Sequence, residues 1–218
     1  MKLTVLSDIH ADLDRLTMAS SVLADSDVLI VSGDLSRHGD PVELRDVIRQ
    51  LQEINPVVMT VPGNMDGTAA VSLMKEMNVN LHGEARELDG VRFAGAGGST
   101  PTPFGTPFEL PETEIIALLD SGFPGEPMGR RVAVCHNPPH GTKVDRILMG
   151  RHVGGKLIRE WVEQVQPDLF LSGHIHEAAG VDRLGETVLV NPGPFRRGGI
   201  GVIEIPEKGP VIAQVVRI

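Results

Sequence analysis

Asp168-Leu-Phe-Leu-Ser-Gly-His-Ile-His176 is the stretch on which the reading of this chain turns. Leu169, Phe170 and Leu171 form a short apolar run entered through Pro167 and closed by Ser172-Gly173, the pattern of a buried strand that stops abruptly. Two histidines, one residue apart, stand just past its carboxyl end. Residues i and i+2 of an extended backbone point the same way, so His174 and His176 can address one small region together. Open α/β sheets bind ligands at the carboxyl ends of their strands. A lone His-x-His carries little weight, but four other apolar runs end in the same manner.

Leu3 to Leu6 leads into Ser7-Asp8-Ile9-His10, and Val28 to Val31 into Ser32-Gly33-Asp34. Pro56 to Val61 leads into Pro62-Gly63-Asn64-Met65-Asp66, and Val132 to Cys135 into His136-Asn-Pro-Pro-His140. Helical patterns lie between these runs. One spans roughly Asp12 to Ala24, with Leu13, Leu16, Ala19, Ser20 and Leu23 at helical spacing. A second opens at Pro41, where a missing N–H costs little, and reaches about Glu53. Others cover Thr68 to Met77, Glu112 to Leu119 and Val153 to Gln166. Asp89-Gly90 joins Arg86–Leu88 to Val91–Ala96 as a hairpin, and Gly185-Glu186 joins Gly180–Leu184 to Thr187–Val190. Gly199 to Ile205 and Val211 to Ile218 close the chain as antiparallel strands. Alternating strand and helix followed by hairpins predicts two packed mixed sheets flanked by helices.

The chain has 218 residues, for which a single domain over 1–218 is expected. Its net charge of −9, with six Phe, one Trp and no Tyr, excludes general nucleic-acid binding, which needs a basic footprint. A single cysteine excludes an internal disulfide and suits a reducing compartment. The first charge comes too early for a signal peptide, and no apolar run reaches membrane-spanning length. A cytoplasmic protein without a membrane partner is expected, and homo-oligomerisation stays open.

Five strand ends thus deliver Asp8, His10, Asp34, Asn64, His136, His174 and His176. Each alone has an ordinary explanation as a turn, a cap or a core histidine. Together they do not, because unpaired buried Asp and His are costly. Nitrogen and oxygen donors in this proportion suit Mn, Fe, Co, Ni or Zn rather than Ca. Seven donors are too many for one such ion and fit two that share a carboxylate.

The order Asp-x-His, Gly-Asp, Gly-Asn-x-Asp, His, Gly-His-x-His, running from Asp8 to His176, resembles the calcineurin-like metallophosphoesterases and their small archaeal and bacterial phosphodiesterase branch. The resemblance implies a four-layer αββα sandwich. It implies that Asp8, His10 and His176 hold one metal, that Asn64, His136 and His174 hold the other, and that Asp34 bridges them. Two ions, with Mn foremost, would acidify a shared water for in-line attack on phosphorus. Asp34, Asn64 and His136 are then the catalytic candidates, and a small phosphate ester is the expected partner. The implied activity is phosphodiester hydrolysis. The alternatives are a phosphomonoesterase or protein phosphatase, and a non-catalytic interaction module, a use this fold has in one retromer subunit.

One position departs from the family pattern. Met65 stands where most members carry a histidine that stabilises the transition state or protonates the leaving group, which leaves Asp66 without that partner. Besides Asn64, the substrate-contact candidates are Arg37 and His140, on loops after ligand-bearing strands, with His38 and His152 similarly placed. The backbone of Gly95 to Ser99 is a further candidate for holding phosphate, although a plain tight loop fits it as well. Cys135 reads as strand core, Met18, Met59, Met74 and Met77 as core filler, and Trp161 as helix-face packing.

Overall fold

Each apolar run becomes a strand whose alternate residues face two different cores. In the computed structural model, which describes residues 1–125 and 129–218, β1 (Lys2–Leu6) is followed by α1 (Leu16–Ala24), β2 (Val28–Val31), α2 (Pro41–Ile54), β3 (Val58–Thr60) and α3 (Ala70–Glu76). Then come β4 (Ala85–Leu88), β5 (Val91–Ala96), α4 (Glu112–Gly122), β6 (Arg130–Cys135), α5 (Lys156–Val165) and β7 (Leu169–Leu171). Strands β8 (Gly180–Leu184), β9 (Thr187–Asn191), β10 (Gly199–Glu204) and β11 (Ile212–Arg217) complete the order.

One sheet runs β11-β10-β1-β2-β3 and the other β4-β5-β6-β7-β9-β8. Strands β1, β2 and β3 are mutually parallel, as are β5, β6, β7 and β9, while β4, β8 and β10 pair antiparallel with β5, β9 and β1, and β11 pairs antiparallel with β10. Leu3, Val5, Val28 and Ile30 face Val132, Val134, Leu169 and Leu171 across the space between the sheets. Leu6, Leu29 and Val31 face outward and pack with Leu23, Leu44, Ile48 and Leu51 of α1 and α2. On the other flank Ala133 and Phe170 pack with Ile115, Leu119, Ile158 and Trp161 of α4 and α5. Layers of helix, sheet, sheet and helix result. Covering both faces is why the parallel strands read as unbroken apolar runs.

Helices α1 and α5 start three or more residues later than their periodicity suggests, and α3 starts at Ala70, two residues after the expected Thr68. The amides of His10 and Ala11 donate to the Asp34 and Leu35 carbonyls at 2.9 and 2.7 Å, so α1 opens at Leu16 instead of Asp12. Likewise the amides of Val153 and Gly154 donate to the Asp145 carbonyl and carboxylate, delaying α5 to Lys156. Strand β3 is shorter than Pro56 to Val61, because the Val57 amide donates to the Asn55 side chain. Pro41 does open α2, and Asp40 caps it by accepting from the amides of Val42 and Glu43.

Met18 corrects the sequence reading: it is 57% exposed on α1 and fills no core, whereas Met59 and Met74 are buried as expected. Cys135 is buried, and desolvation lifts its thiol to about 12, which removes it as a nucleophile. Trp161 packs in the outer core and donates its indole N–H to Asp120 at 2.7 Å. Among the described residues no helix is long and apolar enough to cross a membrane.

His82 links the sheet edge to the loop after β5, accepting from the Gly97 amide through Nδ1 at 2.9 Å. Burial, aided by the charge of Lys75, pushes its imidazole down to about 4. Between the ordinary histidine value of about 6.5 and that lowered one, the unfolded chain takes up a proton that the fold refuses, so stability falls as pH drops through this window. His82→Asn, which keeps an acceptor near Nδ1, is expected to flatten the loss of melting temperature between pH 6.5 and 4. Parallel melting-versus-pH curves for the two proteins would contradict this.

Candidate metal centre

Parallel strands end on the same edge of their sheet, so the loops after β1, β2 and β3 meet those after β6 and β7. Backbone bonds tie these loops to one another. The Asp8 amide donates to Gly33 O at 3.0 Å, Gly173 N–H to His136 O at 3.1 Å, and His174 N–H to Asp8 Oδ2 at 3.2 Å. Asp8, His10, Asp34 and His174 all adopt left-handed backbone, with φ of 51°, 50°, 55° and 65°. Non-glycine residues seldom do so, and such strain concentrates at functional sites. Gly33 and Gly63 cannot carry a side chain here. A Cβ on Gly33 would meet His136 Nδ1 at 2.3 Å, and one on Gly63 would meet Asp34 Oδ1 at 2.0 Å.

All seven strand-end residues converge. His176 Nε2 stands 3.2 Å from Asp8 Oδ1, and Asp34 Oδ2 lies 3.8 Å from His10 Nε2 and 3.5 Å from His136 Nε2. Asp8, His10 and His176 form one compact group, and Asp8, Asp34 and His136 another. Asp8 therefore reaches both groups. Asn64 Oδ1 faces His136 Nε2 at 3.0 Å, and the His174 ring packs edge-on to His136 with centroids 5.1 Å apart. His136 Nδ1 donates to the Ser32 carbonyl at 2.7 Å, which turns Nε2 into the centre.

The electrostatics call for a cation. Asp8 and Asp34 are buried, and among the described residues Asp8 Oδ1 has no hydrogen-bond donor, since its approach to His176 is a charge contact outside bonding geometry. Burial opposes ionisation of Asp8, but contact with His176 and the charges of His136 and His176 hold its carboxyl well below the usual range. Burial likewise opposes charging of His136, yet Asp34, Asp8 and the Ser32 carbonyl lift that imidazole to about 9. His174 is driven the other way, to about 4, by burial and by its neighbour His136. Two buried carboxylates, one with a bare oxygen, and imidazoles with opposed proton affinities make a donor set that fits divalent ions.

Asp66, which has no histidine at position 65 to orient, is bonded elsewhere. Its carboxylate accepts from the amides of Gly63, Ser36 and Leu35 at 2.7, 2.7 and 3.2 Å and from Ser36 Oγ at 2.9 Å, pinning the β2 loop to the β3 loop. Burial and the nearby Asp34 raise it to about 6. The Met65 amide donates to Asp34 Oδ1 at 2.8 Å, so residue 65 orients that carboxylate through its backbone. The Gly95–Ser99 loop is no phosphate cradle. Its Gly97, Gly98 and Ser99 amides donate to His82 Nδ1, Pro62 O and Phe108 O.

Arg37 lines a small cavity beside His10, but its guanidinium is bonded to Glu43 at 2.6 Å. His38 lines the cleft with Asp34 and Met65. His140 and His152 instead flank the buried Asp145, whose Oδ1 receives His152 Nδ1 at 2.7 Å. Asn191, just past the Thr187–Val190 run, was given no role by the sequence. Its amide donates to Ile175 O at 3.0 Å and Gly173 O at 3.3 Å, holding the loop that carries His174 and His176, while its Oδ1 accepts from Gly193 N at 2.8 Å. An Asn closing a strand before Pro-Gly was the available signal.

A family model described as calcineurin-like phosphoesterase matches residues 1–178. An uncharacterized protein of Methanocaldococcus jannaschii is 31% identical over 198 residues, 89% of this chain and 88% of its own length. A Thermus thermophilus protein of known structure superposes with a TM-score of 0.70 at 15% identity, covering 99% of this chain and 98% of that one. A dimetal phosphatase from Danio rerio superposes with a TM-score of 0.60 at 11% identity, covering 98% of each chain. At such identities the two superpositions show a shared fold.

Replacing Asn191 by Leu removes the side-chain donor that the Gly173 and Ile175 carbonyls share, leaving them only the loop's own Ile175 and Ala178 amides. Supporting residues of this sort typically contribute about 10–100-fold in metal affinity. Asn191→Leu is expected to keep the native circular dichroism while its Mn affinity, read by calorimetry, falls within that range. Undiminished affinity would show that this loop needs no such support.

Proposed function

The chain belongs to the calcineurin-like phosphoesterase family, and from that membership we propose that it hydrolyses phosphodiesters with two divalent transition-metal ions, Mn foremost. Asp8, His10 and His176 hold one ion in this reading, Asn64, His136 and His174 hold the other, and Asp34 is shared. When bound, such ions supply Lewis acidity toward phosphoryl oxygens and lower the pKa of water. The chain's own groups set the geometry. The Met65 amide fixes Asp34 Oδ1 and leaves Oδ2 toward His10 and His136. The Ser32 carbonyl fixes the His136 tautomer. Asn64 turns Oδ1 to His136, so its amide N–H₂ is the end that can donate to a phosphoryl oxygen.

The shape of the cleft carries the preference for diesters. A cavity of about 470 Å³ and a smaller one of about 290 Å³ share His10, His38 and Met65. The larger also touches Asp34, Asn64, His174 and His176, and the smaller extends to Asp12, Arg37 and Arg196. A phosphorus seated at the junction has room for an ester arm on either side, and a monoester would fill only one lobe. Met65 walls both lobes with a thioether that cannot give a proton to a departing oxygen.

The Mn-loaded protein is expected to cleave bis(p-nitrophenyl) phosphate with kcat/KM at least about 10-fold above p-nitrophenyl phosphate. Loss of general acid catalysis typically costs about 10²–10⁴-fold, so alkyl leaving groups should lag aryl ones steeply. A faster monoester reaction would make the protein a phosphomonoesterase. Full metal loading with no cleavage of either ester would favour a non-catalytic module.

A further inference from the structure

Phe104 stands beside this centre with its side chain in water. It is 87% exposed and lines the larger lobe with Met65, Thr106 and Pro107. Apolar surface left in solvent forgoes burial energy, and a slack loop would fold such a ring away. This loop is not slack. Glu109 Oε1 accepts from Thr102 Oγ1 at 2.7 Å, Thr106 Oγ1 at 2.7 Å and the Thr106 amide at 2.8 Å. The Phe104 amide itself donates to Thr102 Oγ1 at 3.2 Å, and Gly105, at φ 61°, completes the turn.

The turn is also placed relative to the centre. The Phe108 amide donates to the Asn64 carbonyl at 2.9 Å, and the Ser99 and Leu110 amides pair the loop's two arms. An aromatic ring is therefore held out at the edge of the cleft by a carboxylate staple and tied to the backbone of a proposed metal ligand. The smaller lobe has a different character. It offers Arg196, Asp12 and a Glu43-bonded Arg37, with no aromatic side chain but the two shared imidazoles.

We propose that Phe104 is a stacking platform for a flat substituent of the substrate, an aryl group or a nucleobase, held in the larger lobe while the phosphorus lies at the centre. The proposal rests on the phosphoester-hydrolase reading above. Aromatic side chains stack bases with little regard to their identity, and truncating one to alanine costs on the order of 10-fold or more in affinity. Glu109 acts through the loop as a positioning residue.

Three non-hydrolysable probes test this on the Mn-loaded protein by calorimetry: methylphosphonate, phenylphosphonate and the 5′-phosphonate analogue of thymidine monophosphate. At least one flat probe is expected to bind about 10-fold more tightly than methylphosphonate. Phe104→Ala should abolish that advantage and leave methylphosphonate unchanged, Phe104→Tyr should keep it, and Glu109→Gln should reduce it in part. Tighter binding of the thymidine analogue alone assigns the lobe to a nucleobase, and equal gains for both assign it to any aryl group. If the flat probes bind no better than methylphosphonate, or if Phe104→Ala changes none of the affinities, the platform is overturned. The two readings fail separately. Cleavage of a methyl diester without any aromatic advantage keeps the hydrolase and removes the platform. Binding of phosphonates without cleavage of any ester removes the hydrolase and leaves the platform to the affinity ratio. No phosphonate binding at all removes both.

Discussion

Two carboxylates kept out of water, Asp8 and Asp34, impose the requirement that shapes this molecule. Removing an ionised carboxylate from solvent costs several kcal/mol unless positive charge and hydrogen bonds compensate. Asp34 has the Met65 amide on one oxygen and two imidazoles near the other. Asp8 has the His174 amide on one oxygen and, among the described residues, no donor on the other. The protein's remaining local answer is to charge His136, whose imidazole is lifted to about 9. A pair of divalent cations answers the same need with more charge at shorter range, and the metal centre is in this sense built into the apolar fold around it.

The two sheets make such a cluster affordable in geometry. Parallel strands with both faces covered are rigid and end together, so five loops approach one point from two directions. The approach is close enough that Gly33 and Gly63 leave no room for a Cβ, and tight enough that four of the converging residues take left-handed backbone. Asp66 fastens one pair of loops and Asn191 supports another. These supports are not ligands, yet the positions of the ligands depend on them.

The strands were legible because burial on both faces writes an uninterrupted apolar run, and the strand-end residues were legible because each run stops abruptly, four of the five beside a Gly or Pro. The starts of α1 and α5 were not, since amides just before or at the expected starts (His10 and Ala11, Val153 and Gly154) are bonded to loops brought close only by the fold. Met18 lies off the stripe of Leu16, Ala19 and Leu23, so reading it as core filler rested on residue type alone and the helical spacing already placed it toward water. The bonding of Asp66 was not legible beside Met65, because three of its four hydrogen bonds come from Leu35 and Ser36, some thirty positions earlier. Phe104 and Glu109 lie in a Gly- and Pro-rich stretch without periodicity, where a sequence shows composition but not which side chain is held toward a cleft.

The claim that Asp34 is shared between two ions is the one on which the site, the chemistry and the reading of the cleft all depend. Anomalous diffraction from crystals grown with Mn tests it directly. The account expects two anomalous peaks at the carboxyl ends of the parallel strands, with Asp34 between them, Asp8, His10 and His176 around one, and Asn64, His136 and His174 around the other. A single peak, or two peaks that do not share Asp34, would contradict it.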